Sequence, residues 1–390
     1  MSAKQEEPNI FHTALCDILG IRYPIAQAAM GAFAGPTLAA AVSNAGGLGM
    51  LGGIDSTPEE VRDFIRKTKE LTDKPFGFDT IFPLQLDNIP DNMTAAELET
   101  QLPASAVAFA DKFKSDLGLP DVKGRPGVGA ISLDIVRKQI DIALEEQVPV
   151  LVSALGDPSW VIPDAHAQGV KVMALVGNVK QARHLAEAGV DIIIAQGHEA
   201  GGHTGRIGTM ALVPQVVDAI SPTPVMAAGG IGDGRGLAAA LALGAVGVWC
   251  GTVFVATHES CIDAVQREMF TQWEMDIWKQ AVLAATEEDT CVTRIYSGKT
   301  LRAIKNKFIE RWDKTGGPYL PFPLQPVLIG DVQEGIRVAN LKDYYTWSAA
   351  GQVAGMLTEI QSSQQVIDRM VEEASKILTS GLARMTEANQ

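Results

Sequence analysis

From Tyr23 to Val255, short continuous apolar runs alternate with amphipathic or alanine-rich stretches, a pattern that predicts parallel strands covered by helices on both faces. The runs are PIAQAAM (24–30), LGMLGG (48–53), PFGFDTI (75–81), VPVLVSAL (148–155), KVMALV (171–176), DIIIAQG (191–197), PVMAAGG (224–230) and VGVWCGT (246–252). The segments between them carry helix punctuation. Thr57-Pro58-Glu59-Glu60 reads as a capping box with proline at the first helical position, followed by a buried stripe that begins at Val61 and Ile65. Leu133, Val136, Ile140 and Leu144 recur at helical spacing. Asn178 is placed to cap a helix ended by Gly189, and Asp233 to cap one ended by Gly244.

Eight such units suit an α/β fold of the closed (β/α)8 TIM-barrel type better than a doubly wound sheet, which usually stops at five or six strands. Residues 85–130 interrupt the third unit with a polar insertion containing Pro90, Pro103 and Pro120, expected to be a partly helical flap near the catalytic face. After Val255 the alternation stops. The division expected is therefore a barrel over 1–256 and a C-terminal helical cap over 257–390 that adds no strands.

Composition narrows the function classes. The net charge of −14, with no Lys/Arg cluster, removes the electrostatic footprint of a nucleic-acid or anionic-membrane partner. Four cysteines without CxxC spacing, and a polar N-terminus with two glutamates, point to a reducing, cytoplasmic setting. Gly236–Thr257 is long and uncharged enough to imitate a membrane span. Its glycines and its switch from an alanine-leucine stretch to VGVWCGTVFV predict a helix followed by a strand instead.

In this fold the chemistry is expected in the loops after the strands, with phosphate held after the seventh and eighth. Ala227-Ala-Gly-Gly-Ile-Gly-Asp-Gly234 follows the seventh strand, and Gly251-Thr252 ends the eighth. Gly229, Gly230 and Gly251 would bare backbone N–H groups to phosphate oxygens, the next helix N-terminus would add its dipole, and the Thr252 hydroxyl would donate. After the sixth strand, Gln196 is placed to bond the polar edge of a heterocycle, Gly201 and Gly202 to admit a ligand close to the backbone, and His203 to exchange a proton near neutral pH without large tuning.

Two motif look-alikes fail. His198-Glu-Ala-Gly-Gly-His203 has one residue too many for HExxH and two glycines where a helix is required, so no metal site is expected. Gly47-Leu-Gly-Met-Leu-Gly52 matches GxGxxG but follows a helix and fills a strand, which argues against a dinucleotide fold. His12, His166, His184 and His258 fall in predicted helices or the N-terminal arm and receive structural or surface roles. A barrel of the inosine-monophosphate dehydrogenase type would need a nucleophilic cysteine after the sixth strand; that loop has none, and Cys250 lies within the eighth strand. A non-catalytic phosphate-ligand binder predicts an expendable His203.

PIAQAAMG, AQGHEAGGHTG, AAGGIGDG and GTVFVATHES together resemble the nitronate monooxygenase family, formerly called 2-nitropropane dioxygenases, over roughly residues 20–310. The resemblance implies FMN as cofactor, with its phosphate on Gly229, Gly230, Gly251 and Thr252. It places the backbone of Ala28, Ala29 and Met30 against the flavin, Gln196 at the pyrimidine edge, and Gly201 and Gly202 along the phosphate or ribityl chain. His203 matches the family's catalytic histidine. The implied reaction oxidises an alkyl nitronate with O2 to a carbonyl compound and nitrite, His203 either deprotonating a neutral nitroalkane or steadying the nitronate oxygens. A similar motif set occurs in NAD(P)H-dependent FMN reductases of quinones and enoyl thioesters, the alternative activity. The partners expected are a small-molecule substrate and O2, with NAD(P)H under the alternative and a homodimer left open.

Overall fold

The eight apolar runs become the eight parallel strands of a barrel. A computed structural model describes residues 11–31, 33–54, 56–82, 95–124, 133–266, 271–344 and 349–381. The first six strands are β1 (Ile25–Gln27), β2 (Gly49–Gly52), β3 (Phe76–Phe82), β4 (Val150–Gly156), β5 (Lys171–Val176) and β6 (Ile192–Gln196). A two-residue strand, β7 (Gly202–His203), stands outside the barrel; β8 (Val225–Ala228) and β9 (Gly247–Cys250) complete it. Each strand pairs in parallel with the next around the ring, β9 returns to β1, and an Ala26–Leu48 bridge joins β1 to β2. The observed strands are mostly shorter than the runs because their last residues leave the ladder to form the rim.

Alternation sorts the strand residues into two layers. Leu48, Met50, Val152, Met173, Ile194, Met226 and Trp249 fill the interior, while Ile25, Leu51, Phe78, Leu151, Ile193 and Val248 face the helices. The helix Ala14–Leu19 adds Leu15, Cys16 and Leu19 to the interior cluster and is fastened by the Thr13 hydroxyl to the Val246 carbonyl at 2.6 Å. It closes the end where the strands begin, leaving the opposite end for the site. The capping predictions hold: Thr57 and Glu60 form the reciprocal capping box, Asn178 bonds Gln181 N–H, and Gly189 and Gly244 sit at φ +96° and +90°. The false membrane span resolves into the helix Gly234–Ala242 and strand β9, and among the described residues no helix is long and apolar enough to cross a membrane.

Two expectations need correction. The C-terminal region does add strands: β10 (Thr290–Thr293) and β11 (Leu301–Ile304) form an antiparallel pair, and β11 also pairs with β7. Each is only four residues long and gains its ladder from distant partners, so no local periodicity announces it. His258 lies in a bend, its N–H bonded to Gln361 O at 2.9 Å, instead of in a helix.

The insertion is helical where described, over Ala95–Glu99 and Ala104–Leu117; residues 85–94 and 125–130 lie outside the described residues. Ala106, Ala110 and Phe113 share a separate apolar cluster with Phe308, Trp312, Ile329 and Val332 of the tail, so insertion and tail are packed as one body. The last long helix, Ser363–Lys376, returns to the barrel and packs against Gly234–Ala242, where a Cβ on Gly234 would come within 2.6 Å of Met370 O.

Candidate active site

The ends of β6, β8, β9 and β1 are neighbours, with Gln196 opposite Ala228, Ala228 opposite Trp249, and Cys250 opposite Gln27. The loops that follow them therefore share one arc of the rim. Beyond β1, Ala28 N–H donates to Cys250 O at 2.8 Å and the chain turns through half-buried Ala28, Ala29 and Met30. A Cβ built on Gly251 would meet only Ala28 Cβ at 3.7 Å and Met30 Sδ at 3.8 Å, and one on Gly202, at φ +69°, would meet nothing within 4 Å. Both glycines face room for a ligand. Gly201 does not: its Cβ would lie 2.6 Å from the backbone of Ala350 and Gly351, so its bareness serves the tail that covers it.

The loop after β6 is pinned from two sides. From the barrel, Gln196 Nε2 donates to His203 O at 2.5 Å and Thr204 Oγ1 to Gly197 O at 3.0 Å. From the tail, Arg302 Nε donates to His198 O at 3.1 Å, and β11 sets Leu301 opposite His203 and Arg302 opposite Gly202. Gln196 thus spends its amide nitrogen on holding the histidine segment. The His203 ring lies with Nε2 2.8 Å from Ser297 Oγ. Burial, and then the nearby Lys299 charge, push its pKa down to about 4, because an imidazolium there would be poorly hydrated and next to another cation. The expected absence of large tuning is not met, since the surroundings of the ring favour its neutral form.

At the phosphate end Gly229 and Gly230 adopt φ +99° and +73°, conformations that favour glycine. The helix that follows is not free to add its dipole. Asp233 accepts from Arg235 N–H at 2.9 Å and Gly236 N–H at 3.2 Å, and Glu373 accepts from Gly234 N–H at 2.9 Å, so two carboxylates already occupy that N-terminus. What remains is Gly251 and the four-residue helix that Thr252 begins, the short extra helix common at this place in such barrels. Thr252 Oγ1 accepts from Gly351 N–H at 2.9 Å and keeps its own hydrogen to donate.

Sequence reading missed Asp79. It alternates with Gly77 on the inner face of β3, where a Cβ on Gly77 would come within 2.6 Å of Met50 Sδ. The stagger of about eight residues around such a barrel brings Asp79 level with Leu175, Ala228 and Ala28 in the uppermost interior layer. The carboxyl is buried, its Oδ1 has no hydrogen-bond partner in the described structure, and burial raises its pKa well above the ordinary carboxylate value, against a lowering bond from the Ala154 N–H. An acid inside the run PFGFDTI was the available signal. Ser297, Lys299, Arg302 and Gly351 were also missed, being brought to the rim from the tail. Cys250 is buried with its thiol pushed up to about 12, consistent with a structural role. Among the described residues no cluster of His, Cys, Asp and Glu could hold a metal ion.

A closed parallel barrel whose rim gathers an imidazole and several glycines has the architecture of a (β/α)8 enzyme. The chain belongs to the nitronate monooxygenase family, whose model matches residues 12–373. A probable nitronate monooxygenase of Staphylococcus haemolyticus is 34% identical over 384 residues, covering 95% of this chain and 99% of that protein. A nitroalkane oxidase from Streptomyces ansochromogenes superposes with a TM-score of 0.74 at 28% identity, covering 94% of this chain and 99% of that one. FabK from Thermotoga maritima superposes at 0.72 with 29% identity, covering 96% and 99%. The chain is accordingly an oxidoreductase.

Proposed function

We propose that this enzyme is an FMN-dependent monooxygenase that takes an alkyl nitronate, already anionic, and returns a carbonyl compound and nitrite with O2 as co-substrate. The observation that carries the reading is the His203 ring, 2.8 Å from Ser297 Oγ, beside an arc where a Cβ on Gly202 would meet nothing within 4 Å; burial holds the imidazole pKa well below its ordinary value. A base whose pKa is about 4 is poorly matched to removing a proton from a neutral nitroalkane near pH 7. A neutral N–H donor suits an oxygen that is already negative.

The residues present fit FMN. Positive-φ Gly229 and Gly230, Gly251 and the free hydroxyl hydrogen of Thr252 would hold the phosphate, with no charge from the capped helix Gly234–Ala242. Ala28, Ala29 and Met30 would back the ring, Gly202 would lie along the ribityl chain, and Gln196, tied to the His203 carbonyl, would set the distance between ring and imidazole. When bound, FMN supplies the electron transfer and oxygen chemistry. His203 orients the nitronate, and the tail residues over Gly201 restrict water. A cytoplasmic setting and a homodimer belong to the same reading.

The purified protein should be yellow, with absorbance bands near roughly 370 and 450 nm. Mixed anaerobically, its flavin should be reduced rapidly by a nitronate and slowly by NADH or NADPH. A protein that stays colourless after reconstitution with FMN refutes the cofactor, and fast reduction by a pyridine nucleotide transfers the chain to the reductase alternative.

A further inference from the structure

The loop between β10 and β11 carries a cation to the histidine. Ser297 Oγ, 2.8 Å from His203 Nε2, also lies 3.3 Å from the backbone N–H of Lys299, so a single hydroxyl ties the lysine's main chain to the ring. Two residues later β11 is already paired with β7, Leu301 opposite His203, which fixes the loop relative to the imidazole. The Lys299 side chain is exposed, with Nζ 5.6 Å from the centre of the Phe322 ring, and among the described residues no carboxylate pairs with it. Its charge reaches His203, where it opposes protonation. A solvated lysine usually finds an acid in a chain of net charge −14; this one is held over an aromatic face beside a neutral ring.

We infer that Lys299 selects the anionic form of the substrate, its ammonium balancing the charge of a nitronate bound beside the His203–Ser297 pair. The inference rests on the function proposed above and adds the residue that sets substrate charge. Lys299 is a specificity residue in this account: it attracts and retains the anion, while orientation is left to the imidazole. A solvated cation within a Debye length of a bound anion is worth up to roughly fivefold to tenfold in affinity, screened by salt.

The test compares the full-length holoenzyme with Lys299→Gln and Lys299→Arg. For Lys299→Gln, the ratio of kcat/KM for an alkyl nitronate over that for the parent nitroalkane should fall about fivefold to tenfold, through KM, and added salt should no longer depress nitronate turnover. Lys299→Arg should restore both. A second measurement needs no turnover: sodium nitrate, a planar anion of similar shape, should shift the His203 ring signals in NMR spectra of the parent and fail to do so in Lys299→Gln. An unchanged substrate ratio, or equal nitrate shifts in parent and variant, overturns the role of Lys299. Nitrate shifts confined to the parent in an enzyme that does not oxidise nitronates would sink the proposed function and leave the anion site standing.

Discussion

Replacing Asp79 by asparagine should make the protein more stable at neutral pH and change little in acid. The carboxyl sits in the uppermost interior layer with Oδ1 unpartnered, and its folded pKa is raised above the unfolded value by burial. A group of this kind binds its proton more tightly in the folded state. Its contribution is therefore fully present below the unfolded value of about 3.9 and is lost as pH rises toward the folded one. Over that window the parent loses up to about 1.4 kcal/mol per pH unit from this group alone. Asparagine keeps the shape, still accepts from the Ala154 N–H, and has no proton to lose. Urea unfolding of parent and variant at pH steps from 4 to 8, with the m-value checked for constancy, isolates the effect. Other carboxylates contribute equally to both proteins and cancel in the difference. Stability curves that run parallel across the range, or a variant less stable at pH 7 than at pH 4 relative to the parent, would refute a protonated Asp79.

Three further substitutions probe the rim. His203→Ala should retain the yellow cofactor yet lose a hundredfold or more in kcat, roughly the scale of one positioned polar group; in the parent, activity due to this group should be lost only as pH falls through about 4, visible as a flat kcat/KM profile between pH 5 and 8. Gly201→Ala drives a methyl into the Ala350 and Gly351 backbone at 2.6 Å, an overpacking that should cost about 1–3 kcal/mol in denaturant midpoint and weaken FMN retention by lifting Gly351 from Thr252. Gly251→Ala places a Cβ at ordinary contact distance from Ala28 and Met30, 3.7 and 3.8 Å, so it should unfold within about 1 kcal/mol of the parent while weakening FMN retention in a fluorescence release assay; unchanged retention of the cofactor would move the phosphate elsewhere.

The barrel could be read from the sequence because its determinants are local. Runs such as DIIIAQG and KVMALV are buried on both faces, and Thr57, Asn178, Asp233, Gly189 and Gly244 mark helix ends by chemistry that acts within one turn. The strand order then follows from right-handed βαβ connections, which leave few ways to close eight parallel strands. Knowing which loop ends lie together, one could place Gln196, His203, Gly229 and Gly251 on one rim without coordinates. The state of the groups at that rim could not be read in the same way. The capped helix at Asp233 shows why: the sequence showed an N-terminus ready for phosphate, whereas Glu373, remote in the chain, had already taken one of its amides.

The imidazole makes the same point with a consequence for mechanism. A two-residue strand such as β7 has too few bonds to hold itself; it persists because β11 supplies a ladder and Arg302 ties the preceding turn. That ladder helps cover the half-buried His203, and the loop feeding β11 delivers Ser297 to the ring, with the Lys299 main chain bonded to the same hydroxyl. Both effects disfavour imidazolium, one by removing water and the other by adding a neighbouring positive charge. Together they hold the imidazole pKa below its ordinary value, so the ring is a weaker base than a solvated rim histidine would be. The environment of the barrel-mouth histidine is thus set by the tail, through the Leu301 pairing and the Ser297 bond, and not by the loop that carries it.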